Sequence, residues 1–265
     1  MNISEKSWER YIERLRKVNK TAAEKMLDFL HLNRDDDGLW NSYEARQLIL
    51  EYAYSLSTQY GEAAAELACE MYDQMGELSG VDLPSAEPAA TATFQETAKA
   101  VNGALKSDNA DIVASAVERL VKLSEVDTVL NNALRDGAEW AWIPHGDTCA
   151  YCIMLASQGW QPASRDAIRN GHAEHIHANC DCTYAVRFDD RTDVQGYKPK
   201  KYLKMYNGET IDKDIREDIL EKYGRWSTDA KMNAMRRQVY RDNKDAINAR
   251  KRAEYALRKE REQEE

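Results

Sequence analysis

Four of the chain's five cysteines fall within residues 149–182, as Cys149-Ala-Tyr-Cys152 and His175-Ile-His177-Ala-Asn-Cys180-Asp-Cys182. This window constrains the fold more than any other feature. Thiolate and imidazole are the ligands Zn²⁺ prefers, and a Cys-x-x-Cys followed at a distance by His-x-x-Cys-x-Cys can close a tetrahedron across the intervening loop. Two cysteines at i and i+3 can sit on a tight turn facing one ion. Cys180 and Cys182, at i and i+2, project to one side of an extended backbone. The candidate ligands number more than four: Cys149, Cys152 and Cys180, with either Cys182 or His177 completing the set and His172 and His175 close by. Coordination of this kind contributes on the order of 10–16 kcal/mol of apparent binding energy at neutral pH and can hold together a module too small for its own core. Two disulfides with idle histidines are the competing arrangement. The remaining cysteine, Cys69, lies in a helical pattern and reads as a small buried hydrophobe.

The chain's 265 residues suffice for one or two domains with a real core. The opening Met-Asn-Ile-Ser-Glu-Lys lacks the basic segment and apolar stretch of a secretory signal, which points to a reducing cytoplasm where thiols stay free for metal. No apolar run approaches the roughly 18–20 residues of a membrane span, so no membrane partner is expected.

Around the cluster the pattern is helical, and the fold class expected is mainly α. A bundle-like N-terminal region covers 1–137: a helix pair over 4–79, a loop over 80–93 and further helices over 94–137. Trp8, Tyr11, Ile12, Leu15, Val18, Ala22, Met26, Phe29 and Leu30 recur at helical spacing, and Ser42 is a good N-cap for a second stripe through Ala45, Leu48, Ile49, Tyr52, Leu56, Tyr60, Ala63, Leu67 and Met71. The short link favours an antiparallel pair. Gly61 inside the second helix marks a kink or a close helix contact. Asp108 or Asn109 caps a helix whose inward residues are Ile112, Val113, Ala116, Val117 and Leu120, then Val126, Val129, Leu130, Ala133 and Leu134, with Gly137 as its stop. Residues 138–190 read as a small α+β, zinc-clipped module, with strands at Trp140–Trp142 and Thr183–Phe188.

Residues 191–265 read as a long, basic helical tail, with helices at about 210–223 and from Ser227 or Thr228. The charge is divided: 198–265 hold 19 Lys+Arg against 14 Asp+Glu, while 1–197 hold 18 against 32. Arg236, Arg237, Arg241, Lys244, Arg250, Lys251 and Arg252 are the candidate contacts for DNA or an acidic partner, and a surface helix lying on the protein's own body is the plainer reading.

His172-Ala-Glu174 is similar to the His-x-Glu of zinc deaminases, which would make Glu174 a proton shuttle in a hydrolase or deaminase. Those enzymes place Pro-Cys-x-x-Cys after that element, however, and here Cys-x-x-Cys precedes it. Asp147 and Asp181 could tune a metal from beside its ligands or serve as turn residues.

The stretch Ile143-Pro-His-Gly-Asp-Thr-Cys149-Ala-Tyr-Cys152-Ile-Met-Leu-Ala-Ser-Gln-Gly159, followed by His175-Ile-His177-Ala-Asn-Cys180-Asp-Cys182, resembles the Mu F-like head morphogenesis proteins of tailed bacteriophages. The resemblance is specific over about 140–188, with Leu155-Ala-Ser-Gln-Gly159 standing where relatives carry Leu-Asp-Gly. It implies a non-enzymatic minor capsid protein of the virion head, assembled in the host bacterial cytoplasm. Such a protein is bound near the portal and works with portal and other head proteins in head assembly and genome packaging or delivery; contact of the basic tail with packaged DNA is an expectation from its charge alone. Carried over by position, the family's Cys/His set falls on Cys149, Cys152, His177, Cys180 and Cys182, holding a structural zinc.

Overall fold

The computed structural model describes residues 2–33, 40, 42–145, 148, 150–163 and 181–207. Four helices form the body: α1 (Glu5–Leu32), α2 (Tyr43–Ser79), α3 (Phe94–Leu105) and α4 (Ala110–Asp136). Their ends are set by local chemistry. Ser4, Ser42, Thr93 and Asn109 each accept a backbone N–H of the first turn, and Thr93 with Glu96 forms a reciprocal capping box. Gly80 and Gly137 end α2 and α4 in the left-handed region, at φ 68° and 65°.

Side-chain contacts give the helix directions. Phe29 stacks on Tyr52 and Arg14 pairs with Glu70, so α1 and α2 run antiparallel. Gly61 lies against Ser124 and Tyr72 donates to Asp136, so α2 and α4 run parallel. Both sequence stripes on α1 and α2 are largely found inside. Leu48 and Ile112, expected to face inward, are instead exposed, as is Ala63, one residue before the buried pair Ala64 and Ala65. Each of α2 and α4 contacts three or more other elements on different sides, so no single stripe describes what it buries.

Between α2 and α4 lies the extended segment 80–93, which runs against α4. Its backbone groups are bound by a ladder on α4, one helical turn per rung. Ala89 N–H donates to Thr128 Oγ1 (2.9 Å), Glu87 exchanges two hydrogen bonds with the Asn132 amide, and Arg135 donates to the carbonyls of Pro84 and Ser85. A segment that crosses a helical groove without forming strand or helix is stable only when its backbone polar groups are satisfied in this way.

Gly61 is the close-contact position. A Cβ there would meet Ser124 Oγ at 2.7 Å and Thr91 Cγ2 at 3.0 Å. Gly61→Ala is therefore expected to cost about 1–3 kcal/mol from overpacking, against a helix-propensity gain of about 1 kcal/mol. In a Ser124→Ala background the cost should shrink by at least about 1 kcal/mol, because the clashing oxygen is gone. Urea denaturation of the four proteins checks this, and equal costs in both backgrounds would show that the contact is not limiting.

The module follows α4 directly. Strand β2 (Glu139–Ile143) is the centre of a three-stranded antiparallel sheet, flanked by β3 (Gln161–Pro162) and β4 (Thr183–Arg187), with Trp142 opposite Tyr184 and Ile143 opposite Thr183. Both long strands fall where the alternating residues place them. Helix α5 (Ala150–Ser157) packs on β2.

Residues 191–207, at the head of the expected tail, form β5 (Asp193–Val194) and α6 (Pro199–Asn207). β5 pairs in parallel with β1 (Asn2–Ile3), and α6 packs on α5. Proline at the first helical position suits α6, because its missing N–H has no intrahelical partner to lose. The helices expected at about 210–223 and beyond Ser227 lie outside the described residues. The sheet and the helices share one hydrophobic core, in which Trp140, Trp142 and Tyr184 join Ile12, Met26 and Met75.

Candidate metal centre

Pairing of Ile143 with Thr183 brings residues 144–145 alongside 181–182. The result is a direct contact: the His145 amide donates to Cys182 Sγ at 3.4 Å. The Cys182 thiol in turn donates to the His145 carbonyl at 3.7 Å, so both backbone groups of one residue hold the sulfur. Cys182 is fully buried and Cys152 is 1 % exposed, both within the common core. Cys152 sits in the first turn of α5, so a helical turn rather than an isolated tight turn carries this half of the Cys-x-x-Cys. Cys69, Cys152 and Cys182 are free thiols.

Of the expected ligands, Cys149, His177 and Cys180 lie outside the described residues, as do His172, Glu174, His175 and Asp147. Among the described residues no group of three or more His, Cys, Asp or Glu side chains gathers as a metal site. The described part of the expected set is two buried sulfurs, of which Cys182 is held by a backbone amide. The buried Tyr184 hydroxyl and Trp142 indole N–H have no hydrogen-bond partner among the described residues. Soft sulfur donors in a dry setting fit Zn²⁺.

Cys182 is fixed from both neighbours. Asp181 pairs with Arg16 of α1 at 3.5 Å, which gives it a tethering contact rather than an idle place in a turn. Thr183 Oγ1 donates to Glu125 of α4, and Tyr11 of α1 donates to the same carboxylate oxygen at 3.3 Å. Lys122, one turn from Glu125, places its ammonium 5.8 Å from the Trp142 ring centre.

Glu125 is 1 % exposed, and its carboxyl is pushed up to about 7. Burial is the main cause, opposed by the Thr183 hydrogen bond, the Lys122 charge and the Tyr11 hydroxyl. Burial likewise raises Tyr11 well above its ordinary value, with the Glu125 charge adding to the effect. This polar knot was not anticipated from the sequence. A Lys and a Glu three apart inside the otherwise apolar run of α4 were its only signal. The basic set Arg236, Arg237, Arg241, Lys244, Arg250, Lys251 and Arg252 lies outside the described residues.

The fold defines a mainly helical protein with a small three-stranded sheet docked on the helices, beside which Cys152 and Cys182 are each buried. The chain belongs to the VG15 protein family, a phage-associated family of viral genes, whose model matches residues 2–209. The match spans every described element and ends before the basic set. It supports the phage character of the resemblance at this coarser level, and the Mu F-like attribution is not part of it. No curated protein and no solved structure matches the chain. No helix among the described residues is long and apolar enough to cross a membrane.

Proposed function

We propose that this chain is a structural, non-enzymatic component of the phage head, of the minor capsid or head-morphogenesis type represented by the Mu F-like proteins. In this reading it assembles in the host cytoplasm and sits near the portal in the virion. The carrying observation is the phage-family match, which runs unbroken through the helical body and the thiol-bearing module over 2–209. Cys149, Cys152 and Cys180, with Cys182 or His177, would hold one Zn²⁺. A closed site of this kind supplies a cross-link between distant stretches of backbone and no reactive position. The buried Cys152 and the amide-held Cys182 support that role.

The chain's own residues would orient the clip: Arg16 and Glu125 hold the backbone on either side of Cys182 against the helices. The helical body would then present a stiff surface to portal and head proteins. The tail residues Arg236 to Arg252 would meet packaged DNA or an acidic partner.

Mass spectrometry of purified, nuclease-treated phage particles tests the assignment. The chain should be retained in heads at a few copies per particle and remain in tailless heads. Recovery only as free protein in the lysate would overturn it.

A further inference from the structure

The ten residues from Lys198 to Asn207 hold four lysines and no acidic residue, in a chain whose first 197 residues carry 32 Asp+Glu against 18 Lys+Arg. Their placement is well defined. Helix α6 is pinned to α5 by buried Met205, by Tyr197, whose hydroxyl donates to the Ala156 carbonyl at 2.8 Å, and by the stacking of Tyr202 on Tyr197. Helix α5 beneath it has no charged side chain, and the described carboxylates closest to its start are Asp193, near Tyr197, and Glu5, beside Gly196. Lys198, Lys200 and Lys204 are exposed and Lys201 is half-buried. Among the described residues none of the four ammonium groups has an ion-pair partner.

This arrangement is unfavourable for the isolated helix. Lys198, Lys200 and Lys201 crowd its N-terminal turn, where the helix dipole is already positive and where no acidic residue offsets them. A bound polyanion would relieve both the mutual repulsion and the dipole mismatch. Residues 1–197 are net acidic and disfavour such a ligand overall, which makes this cluster of cations a favoured point of approach.

We infer that the exposed face of α6 is a contact surface for the phosphate backbone of duplex DNA, separate from the basic residues beyond 230. Two features favour nucleic acid over an acidic protein. All four cations are lysines, a residue depleted in protein–protein interfaces but suited to phosphate as a flexible point charge. A nine-residue helix spans about 14 Å, which matches roughly four base-pair steps of a duplex. The contact reads no sequence, because lysines on phosphates position without specifying. The inference goes beyond the head-protein reading and does not require it, since it is measured on isolated protein rather than on particles.

The test uses the full chain and a fluorescent 30-base-pair duplex of mixed sequence, titrated by anisotropy at several salt concentrations. The variant is K198Q/K200Q/K201Q/K204Q, compared with wild type, with the four-Arg counterpart and with R236Q/R237Q/R241Q. At low salt the Gln variant should bind at least about tenfold more weakly. Its log Kd against log salt slope should be shallower by up to about 3–4, at roughly 0.9 per lost phosphate contact. The four-Arg variant should restore the slope, and the tail variant should leave the α6 contribution in place. An unchanged slope in the Gln variant, no duplex binding by wild type, or displacement of duplex by poly-glutamate at equal charge would each overturn the inference, the last in favour of an acidic protein partner.

Discussion

Purified protein should carry one zinc ion per chain, and a strong chelator that removes it should expose the cluster thiols and lower stability by more than any single core substitution does. This is the expected result if the clip is real. The apparent binding energy of a structural zinc is about 10–16 kcal/mol, whereas truncating a large buried apolar residue costs about 2–5 kcal/mol. In holo-protein a thiol reagent should react slowly with all cysteines. After chelation the four residues Cys149, Cys152, Cys180 and Cys182 should react, with Cys69 lagging because burial pushes its thiol up to about 11. Cys152→Ala and Cys182→Ala should each weaken zinc binding by a factor of at least about 100, and Cys69→Ala should leave the stoichiometry at one. A protein isolated without metal, with all five thiols titrating alike, removes the clip.

The second large effect centres on Glu125. Glu125→Ala strands the hydroxyls of Thr183 and Tyr11 in the core, at about 1–3 kcal/mol for each unsatisfied group, and opens a cavity at the junction of helices and sheet. The wild-type side chain also makes stability depend on pH. Its folded carboxyl titrates near 7 while the unfolded one titrates near 4.5, so between those values the folded protein binds more protons. The stabilisation of the neutral form is complete below about pH 4.5 and is lost as pH rises through 7. The loss is on the order of 3 kcal/mol. Asp127, raised to about 6 by burial and by the Glu96 charge, contributes in the same direction.

Glu125→Gln keeps an acceptor for both hydroxyls and cannot ionise. It should therefore flatten most of the decline between pH 5 and 8, leaving the smaller Asp127 share. It should be less stable than wild type at pH 5 and no less stable at pH 8. Urea titrations at four pH values decide this; parallel curves for the two proteins would mean that Glu125 does not titrate in that range.

Only part of the surroundings of Cys182 is legible in the sequence, for a definite reason. The Cys/His spacing names candidate ligands because metal chemistry restricts residue type and separation within a short window. Nothing local says that Arg16 would reach Asp181, that Glu125 would bind Thr183 across 58 residues, or that the His145 amide would point at Cys182. Those contacts exist because β2 and β4 pair and dock on α1 and α4. The same limit explains the exposed Ile112 and the buried Lys122. A periodic stripe assumes one neighbour, and α4 has neighbours on α1, α2, α3 and the sheet.

Sequence by itself determined where α2 and α4 begin, through Ser42 and the Asp108-Asn109 pair, where α4 ends, through Gly137, and where the two long strands lie, through alternation beside the cysteines. These depend on interactions within a few residues, which a linear reading can see. Tertiary structure alone decided that 80–93 lies along α4, that β1 meets β5 and that a carboxylate is buried behind the cysteine strand. Each of these joins groups that are distant along the chain, and each is stable only because packing excludes water around it.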